Sequence, residues 1–184
     1  VADAKPENTT CGEAIANMLF GKINPSGHLP ATFPRSVDQL PKPSAPNKGD
    51  TTYSEGATVG YKWFEAKGLE PAFAFGHGLS YTSFAMEGLS ATPSGKTIAV
   101  SFTVRNTGSR AGQEVAQIYV GGAGWEAPKR LGGWKKVALA PGASAKVTLA
   151  VDPRLLATWD QASQSWKIAG GTYQVMLAAS AREI

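Results

Sequence analysis

The feature that most limits the fold is a strict alternation. Ile98, Val100, Phe102 and Val104 take every second position of Ile98-Ala-Val-Ser-Phe-Thr-Val104. Successive side chains of a strand point to opposite faces, so this segment has one face for a core and one for a wetter surface. Further strand signals follow at Glu114–Val120, Leu131–Leu139, Ala145–Val151, Trp166–Ile168 and Thr172–Leu177, with turns such as Asn106-Thr-Gly-Ser and Ala140-Pro-Gly-Ala between them. Short strands at this spacing predict a mainly β chain, with a β-sandwich of immunoglobulin or fibronectin type III kind over residues 84–184. Cys11 is the single cysteine. The inter-sheet cysteine pair of antibody domains is therefore absent, which favours the fibronectin version and rules out an internal disulfide framework or a thiolate zinc site.

The chain begins differently. Thr10 and Glu13 have the spacing of a capping box, Ile15, Met18 and Leu19 form one apolar stripe, and Gly21 stands where a helix-ending glycine belongs. A helix of about ten residues does not hold in water alone, so it must dock on something. Asn24-Pro-Ser-Gly27 has type I turn chemistry. His28–Phe33 alternates Leu29, Ala31 and Phe33, a strand signal that Pro30 confines to a sheet edge or strand start. One helix and one edge strand make no domain, so residues 1–39 read as an α/β fragment, the tail of a larger body expected to begin before Val1. Residues 40–83 read as an extended linker. Its first part, Leu40–Asp50, is proline-rich, and its second, Tyr53–Tyr81, is a strap carrying Tyr61, Trp63, Phe64, Phe73 and Phe75 among glycines. So many aromatics among turns must lie against a surface.

The net charge of +4 is uneven: seven Lys and Arg against eight acidic residues up to Ser83, eleven against six from Phe84 onward. The basic pairs Lys129-Arg130 and Lys135-Lys136 come with no nucleic-acid-binding motif, so they read as solvated charge and no nucleic-acid partner is expected. No run of 18 apolar residues is present, so no membrane-spanning helix is expected. The start, Val1-Ala-Asp-Ala-Lys-Pro-Glu-Asn, lacks the basic and apolar regions of a signal peptide; a signal, if there is one, is expected upstream.

Three segments carry a family resemblance. Gly12–Pro34, containing Ile23-Asn-Pro-Ser-Gly-His-Leu-Pro, resembles the end of the second, α/β-sandwich domain of glycoside hydrolase family 3. Tyr53-Ser-Glu-Gly-Ala-Thr-Val-Gly-Tyr-Lys-Trp-Phe64 with Glu70-Pro-Ala-Phe-Ala-Phe-Gly-His-Gly-Leu-Ser-Tyr-Thr82 resembles the strap that follows it. Val104–Val120, Arg130-Leu-Gly-Gly-Trp-Lys-Lys-Val137 and Leu139-Ala-Pro-Gly142 are similar to the family's fibronectin-like domain. The resemblance implies a retaining β-glucosidase-type enzyme, secreted or periplasmic, that removes terminal β-linked sugars from oligosaccharides or glycosides without a cofactor. It also implies that the barrel Asp nucleophile and the Glu acid/base lie outside this chain, whose partner is the N-terminal catalytic portion of the same enzyme. Retaining hydrolysis needs those two carboxyls roughly 5–5.5 Å apart, and no Asp or Glu pattern here fixes such a pair.

Two residues stand as candidate substrate contacts. Glu55 sits in the aromatic loop beside Tyr53 and Gly56, where burial raises a carboxyl pKa; its competing reading is a structural hydrogen-bonding role. Trp125 lies in the glycine-rich loop Gly121–Pro128, where an exposed ring could stack on a sugar. Trp63, Trp134, Trp159 and Trp166 read as core or strap residues. His28 and His77 read as packing residues rather than metal ligands, since neither has a thiol or acidic partner at ligand spacing. The competing function is a stand-alone carbohydrate-binding or adhesion module.

Overall fold

The computed structural model describes residues 11–42 and 51–183. Thr10 of the capping box and residues 43–50 of the connector lie outside them. Two antiparallel sheets face each other across the core. The first joins β1 (Phe84–Ser94), β2 (Thr97–Asn106) and β5 (Ser144–Ala150) in the order β1-β2-β5. Its partner joins β3 (Gly112–Gly122), β4 (Arg130–Leu139) and β8 (Tyr173–Ala178) in the order β4-β3-β8. Between β5 and β8 come a single helical turn, α3 (Pro153–Leu156), and a separate hairpin of β6 (Ala157–Asp160) and β7 (Ser165–Ile168). The strands predicted for the sandwich are all present.

The alternating face of β2 is the centre of the core. Val100, Phe102 and Val104 are fully buried and pack with Ala116, Ile118 and Val120 of β3, Leu139, Val147 and Val151. At the end of β2 the buried Asn106 satisfies its whole amide. Its Nδ2 donates to Arg110 O at 2.7 Å and Leu139 O at 3.1 Å, while Oδ1 accepts from Thr82 Oγ1 at 2.8 Å and Gly108 N at 3.1 Å. An amide with both donors and both acceptor positions used has no cheap alternative, and it pins residue 82 to the sandwich.

β3 is buried on both faces. Ala116, Ile118 and Val120 point into the sandwich, while Gln117 and Tyr119 point outward and are buried as well. The cover on the outer face is the strap: Tyr61 and Phe75 pack there with Leu131, Met176, Ala178 and Ala181 around Tyr119.

Residues 11–81 depart from expectation in three ways. The helix is present as α1 (Cys11–Leu19), yet none of its residues is buried. His28–Phe33 is not a continuous strand. It meets the strap through isolated bridges, His28 opposite Gly78 and Phe33 opposite Phe73, because Pro30 between them has no N–H to extend a ladder. The strap is not extended throughout, since Tyr61–Lys67 forms a short helix, α2, closed by the left-handed Gly68, whose N–H bonds back to Glu65 and Phe64 carbonyls. Seven residues are too few to show a helical period, and the bracketing glycines are the only sequence trace of this element. The tryptophans also differ: Trp63 belongs to the strap, donating to Gln39 O at 2.8 Å, but Trp134, Trp159 and Trp166 are exposed rather than core. Trp159 and Trp166 sit on the β6–β7 hairpin, which pairs with neither large sheet.

Replacing Phe102 with Ala is expected to cost about 3–5 kcal/mol of unfolding free energy, the range for deleting a buried aromatic ring. Denaturant titration of the variant checks this, and a loss below 1 kcal/mol would contradict the placement of Phe102 at the core centre.

Candidate functional site at the strap–sandwich junction

The chemistry-bearing side chains gather where the strap lies on the outer face of the second sheet. Within α2, Tyr61, Phe64 and Glu65 share one face, as residues three and four apart do. Phe64 is buried. The Tyr61 ring lies 5.1 Å from Phe75 and 5.7 Å from Tyr119, and its hydroxyl accepts the Leu131 N–H at 2.8 Å. The face is thus aromatic at its centre and charged at its margins.

One charged group is built on Glu126. Lys62 of α2 approaches its carboxylate at 2.6 Å, and Arg130 grips both oxygens, Nε to Oε1 at 3.0 Å and Nη2 to Oε2 at 2.5 Å. Arg130 also donates from Nη1 to Leu155 O at 3.0 Å and Ala157 O at 2.8 Å. Burial by itself raises the Glu126 pKa, but the hydrogen bonds from Arg130 and Lys62 outweigh it and hold the carboxyl down at about 2. The other group is built on Lys129, 4% exposed. Its ammonium donates to Ala181 O at 2.5 Å, lies 3.3 Å from Glu65 and sits 5.4 Å from the Tyr119 ring centre. Glu65 is shared with Arg182 at 3.4 Å, and Arg182 also meets Glu70 at 2.9 Å. Burial, with Tyr61 and Glu65 nearby, pushes the Tyr119 phenol far above its ordinary range. The expected solvated pair Lys129-Arg130 is therefore corrected. Lys129 is buried and Arg130 largely so, because the strap roofs the start of β4 and the loop residue just before it.

Gln117 completes the seam. Its Nε2 donates to Gly76 O at 3.2 Å and Ala179 O at 2.6 Å, and its Oε1 accepts from the Tyr119 hydroxyl at 2.8 Å. Gly76 has φ +81°, and a Cβ there would stand 2.3 Å from the Gln117 amide, so glycine is required twice over.

The two candidate substrate residues lie on adjoining loops. The Thr58 hydroxyl, three residues after Glu55, donates to the backbone carbonyl of Glu126, next to Trp125, at 3.3 Å. Glu55 is half-buried in a turn closed by Gly56 N to Tyr53 O at 3.2 Å, and its Oε2 is buried without a hydrogen-bond partner among the described residues. Trp125 is half-buried rather than exposed: the Arg130 guanidinium covers its ring at 4.2 Å and Tyr173 packs at 5.8 Å. His28 bonds Glu114 at 3.1 Å, and His77 packs on Phe73 at 5.5 Å. Among the described residues no group of three His, Cys, Asp or Glu side chains is placed to hold a metal.

A glycosidase acid at neutral pH needs a raised pKa and access to the leaving oxygen. Glu126 has the opposite tuning, and Glu65 is shielded by Lys129 and Arg182. The junction is organised to join two parts of the chain. Sequence reading missed Gln117, Glu126 and Lys129 because their strap partners Gly76, Lys62 and Glu65 lie 41 to 64 positions away. The one available signal is that β3 carries bulky or apolar residues on both faces and so requires a cover.

Two predictions follow from these charges. Lys129→Ala removes one of the two cations that hold Glu65, leaving it Arg182 at 3.4 Å, and is expected to cost about 1–3 kcal/mol, read by denaturant unfolding; the range is that for leaving a buried polar group without a partner. Glu126 has its pKa depressed in the fold, so it stabilises above its unfolded pKa near 4.5, and this contribution is lost as pH falls toward 2. The Glu126→Gln variant is expected to show a shallower loss of thermal midpoint between pH 4.5 and 2 than the parent, and identical slopes would contradict the assignment.

Comparison with known proteins agrees with this architecture. Residues 7–81 match the glycosyl hydrolase family 3 C-terminal domain, and residues 114–181 match the fibronectin type III-like domain. Probable beta-glucosidase K of Emericella nidulans is 38% identical over 180 residues, a match covering 94% of this chain and 21% of that protein. Thermostable beta-glucosidase B of Acetivibrio thermocellus is 37% identical over 182 residues, covering 94% and 24%. Among solved structures, the GH3 beta-glucosidase of Bifidobacterium adolescentis superposes with a TM-score of 0.87 at 35% identity, covering 94% of this chain and 26% of that one. Beta-glucosidase 3B of Thermotoga neapolitana, in complex with alpha-D-glucose, gives 0.86 at 38% identity, with 94% and 25% covered. The chain spans about a fifth to a quarter of the length of these relatives. It belongs to glycoside hydrolase family 3, as the family's C-terminal portion, made of the family's C-terminal domain over residues 7–81 and a fibronectin type III-like domain over residues 114–181.

Proposed function

We propose that this chain is the C-terminal structural part of a retaining β-glucosidase-type exo-glycosidase that acts on terminal β-linked sugars of oligosaccharides or glycosides. The catalytic carboxylates, in this reading, belong to polypeptide outside these 184 residues. The observation that carries it is the coverage: nearly all of this chain aligns with about a quarter or less of enzymes named β-glucosidases.

The surface of residues 11–81 supports the same reading. Helix α1 has an apolar stripe but no buried residue, and Leu19, Phe20, Val37 and Leu79 are each more than 70% exposed. Beside the helix lies an apolar hollow of about 570 Å³ lined by Met18, Leu29, Phe33, Phe73 and Leu79. Contiguous apolar surface of this kind marks a docking face, and its occupant is the N-terminal catalytic portion of the same enzyme. The role of the chain is then mechanical. The strap fixes that docking face to the sandwich through the Gln117, Lys129 and Glu126 contacts, and so fixes where the rest of the enzyme sits.

The test is the hydrolysis of an aryl β-glucoside. The 184-residue chain alone is expected to be inactive and the polypeptide carrying its N-terminal extension active. Glu55→Gln in that longer polypeptide is expected to leave most of kcat, since losing a general acid costs roughly 10²–10⁴-fold. Hydrolysis by the isolated chain, abolished by Glu55→Gln, would overturn the proposal.

A further inference from the structure

The far end of the sandwich carries a feature that neither the strap nor the docking face explains. Trp159 and Trp166 are directly opposed on β6 and β7, with ring centres 5.6 Å apart at 69°. They are 49% and 67% exposed, although a tryptophan gains most from burial. Beneath Trp166 runs a groove of about 880 Å³ between the β6–β7 hairpin and the β1–β2 turn, whose apolar wall includes Pro153, Ala157 and Ile168. A second hollow of about 420 Å³ continues it past Gly95, Lys96 and Gly170 toward Thr172. The first alone is within the range of about 300–1,000 Å³ typical of small-ligand sites, and the two in line suit an elongated ligand.

The rim defines the ligand chemistry. Of its cations, Arg154 is paired with Asp152 at 2.5 Å and Lys167 with Asp160, leaving Lys96 without an ion-pair partner among the described residues. Such a rim has little unbalanced charge for an anionic ligand. It does offer the donors of Lys96, Arg154 and Lys167, which suit hydroxyl groups, since a hydroxyl oxygen accepts. An exposed indole beside such donors fits a molecule with apolar C–H faces and hydroxyl edges.

We propose that the groove under Trp166 binds a neutral, β-linked glycan chain, with Trp166 as the stacking platform, Trp159 holding that ring in place and Lys96 and Arg154 meeting the hydroxyl edges. The choice of a glycan over another neutral polyol rests on the glycosidase reading above. The site is an accessory one: it retains a polymer and does no chemistry.

The test uses the full-length enzyme in native gels containing a soluble β-glucan, with saturating glucose to occupy an exo-acting pocket. A polymer has few chain ends, so retardation reports binding along the chain. Trp166→Ala is expected to weaken retardation at least fivefold, Trp166→Phe to restore part of it, and Trp134→Ala, an equally exposed ring elsewhere, to leave it unchanged. Aryl β-glucoside hydrolysis is expected to be the same in all three. Retardation equal in Trp166→Ala and the parent, or absent in the parent, overturns the site while leaving the glycosidase reading intact. Retention by a polyphenol matrix but not by the glucan overturns the ligand class. An inactive parent enzyme counts against the glycosidase reading instead.

Discussion

Everything in this chain depends on one covered face. β3 is buried on both sides, and its outer side chains, Gln117 and Tyr119, are polar enough to require partners and bulky enough to require a roof. The strap provides both: the Gly76 carbonyl for Gln117, Glu65 for the neighbouring Lys129, and the rings of Tyr61 and Phe75 over Tyr119. Buried polar groups are costly when unmet, so this arrangement selects one placement of the strap on the sheet. Hydrophobic contact alone would tolerate sliding.

From the other side the same strap holds residues 28–33. Leu29 N–H donates to His77 O at 2.9 Å and Gly76 N–H donates to Leu29 O at 2.8 Å, while Phe33 exchanges bonds with residues 72 and 73. Residue 76 therefore meets both neighbours, its N–H bonded to the N-terminal segment and its C=O to the sandwich. Further ties run along the seam: Asn24 to Ala111 O at 3.0 Å, His28 to Glu114, and Lys136 to Ser26 at 3.0 Å. The exposed apolar side of residues 11–40 is thus held in a fixed direction relative to a rigid sandwich, as a structural role in a larger enzyme requires.

The sandwich was legible because its information is local. The alternation at Ile98–Val104 and the turns at Asn106 and Ala140 act within a few residues. Helix α1 was legible for the same reason. Helix α2 was not: its seven residues have no readable period, and it is held by glycine brackets and by a surface from another part of the chain. The strand expected at His28–Phe33 failed on a single residue, Pro30, which reduced it to bridges. Among the candidate site residues, the adjoining positions of the Glu55 and Trp125 loops could not be read, since Thr58 and Glu126 are 68 positions apart. Nor could the burial of Lys129, because a lysine looks solvated until its roof is known. The exposure of Trp159 and Trp166 is the reverse case: a strand pattern that looks like core sits on a hairpin outside both sheets.

The central claim is that strap, N-terminal segment and sandwich form one cooperative body through the seam at Gly76, Gln117 and Lys129. Native-state amide hydrogen exchange tests it directly. The amides of Leu29, Phe33, Gly76 and Ala181 are expected to open with nearly the same free energy as Phe102 in the sandwich core. Exchange of Leu29, Phe33 and Gly76 at close to unprotected rates while Phe102 stays protected would contradict it, leaving the sandwich an independent domain with a loosely attached leader.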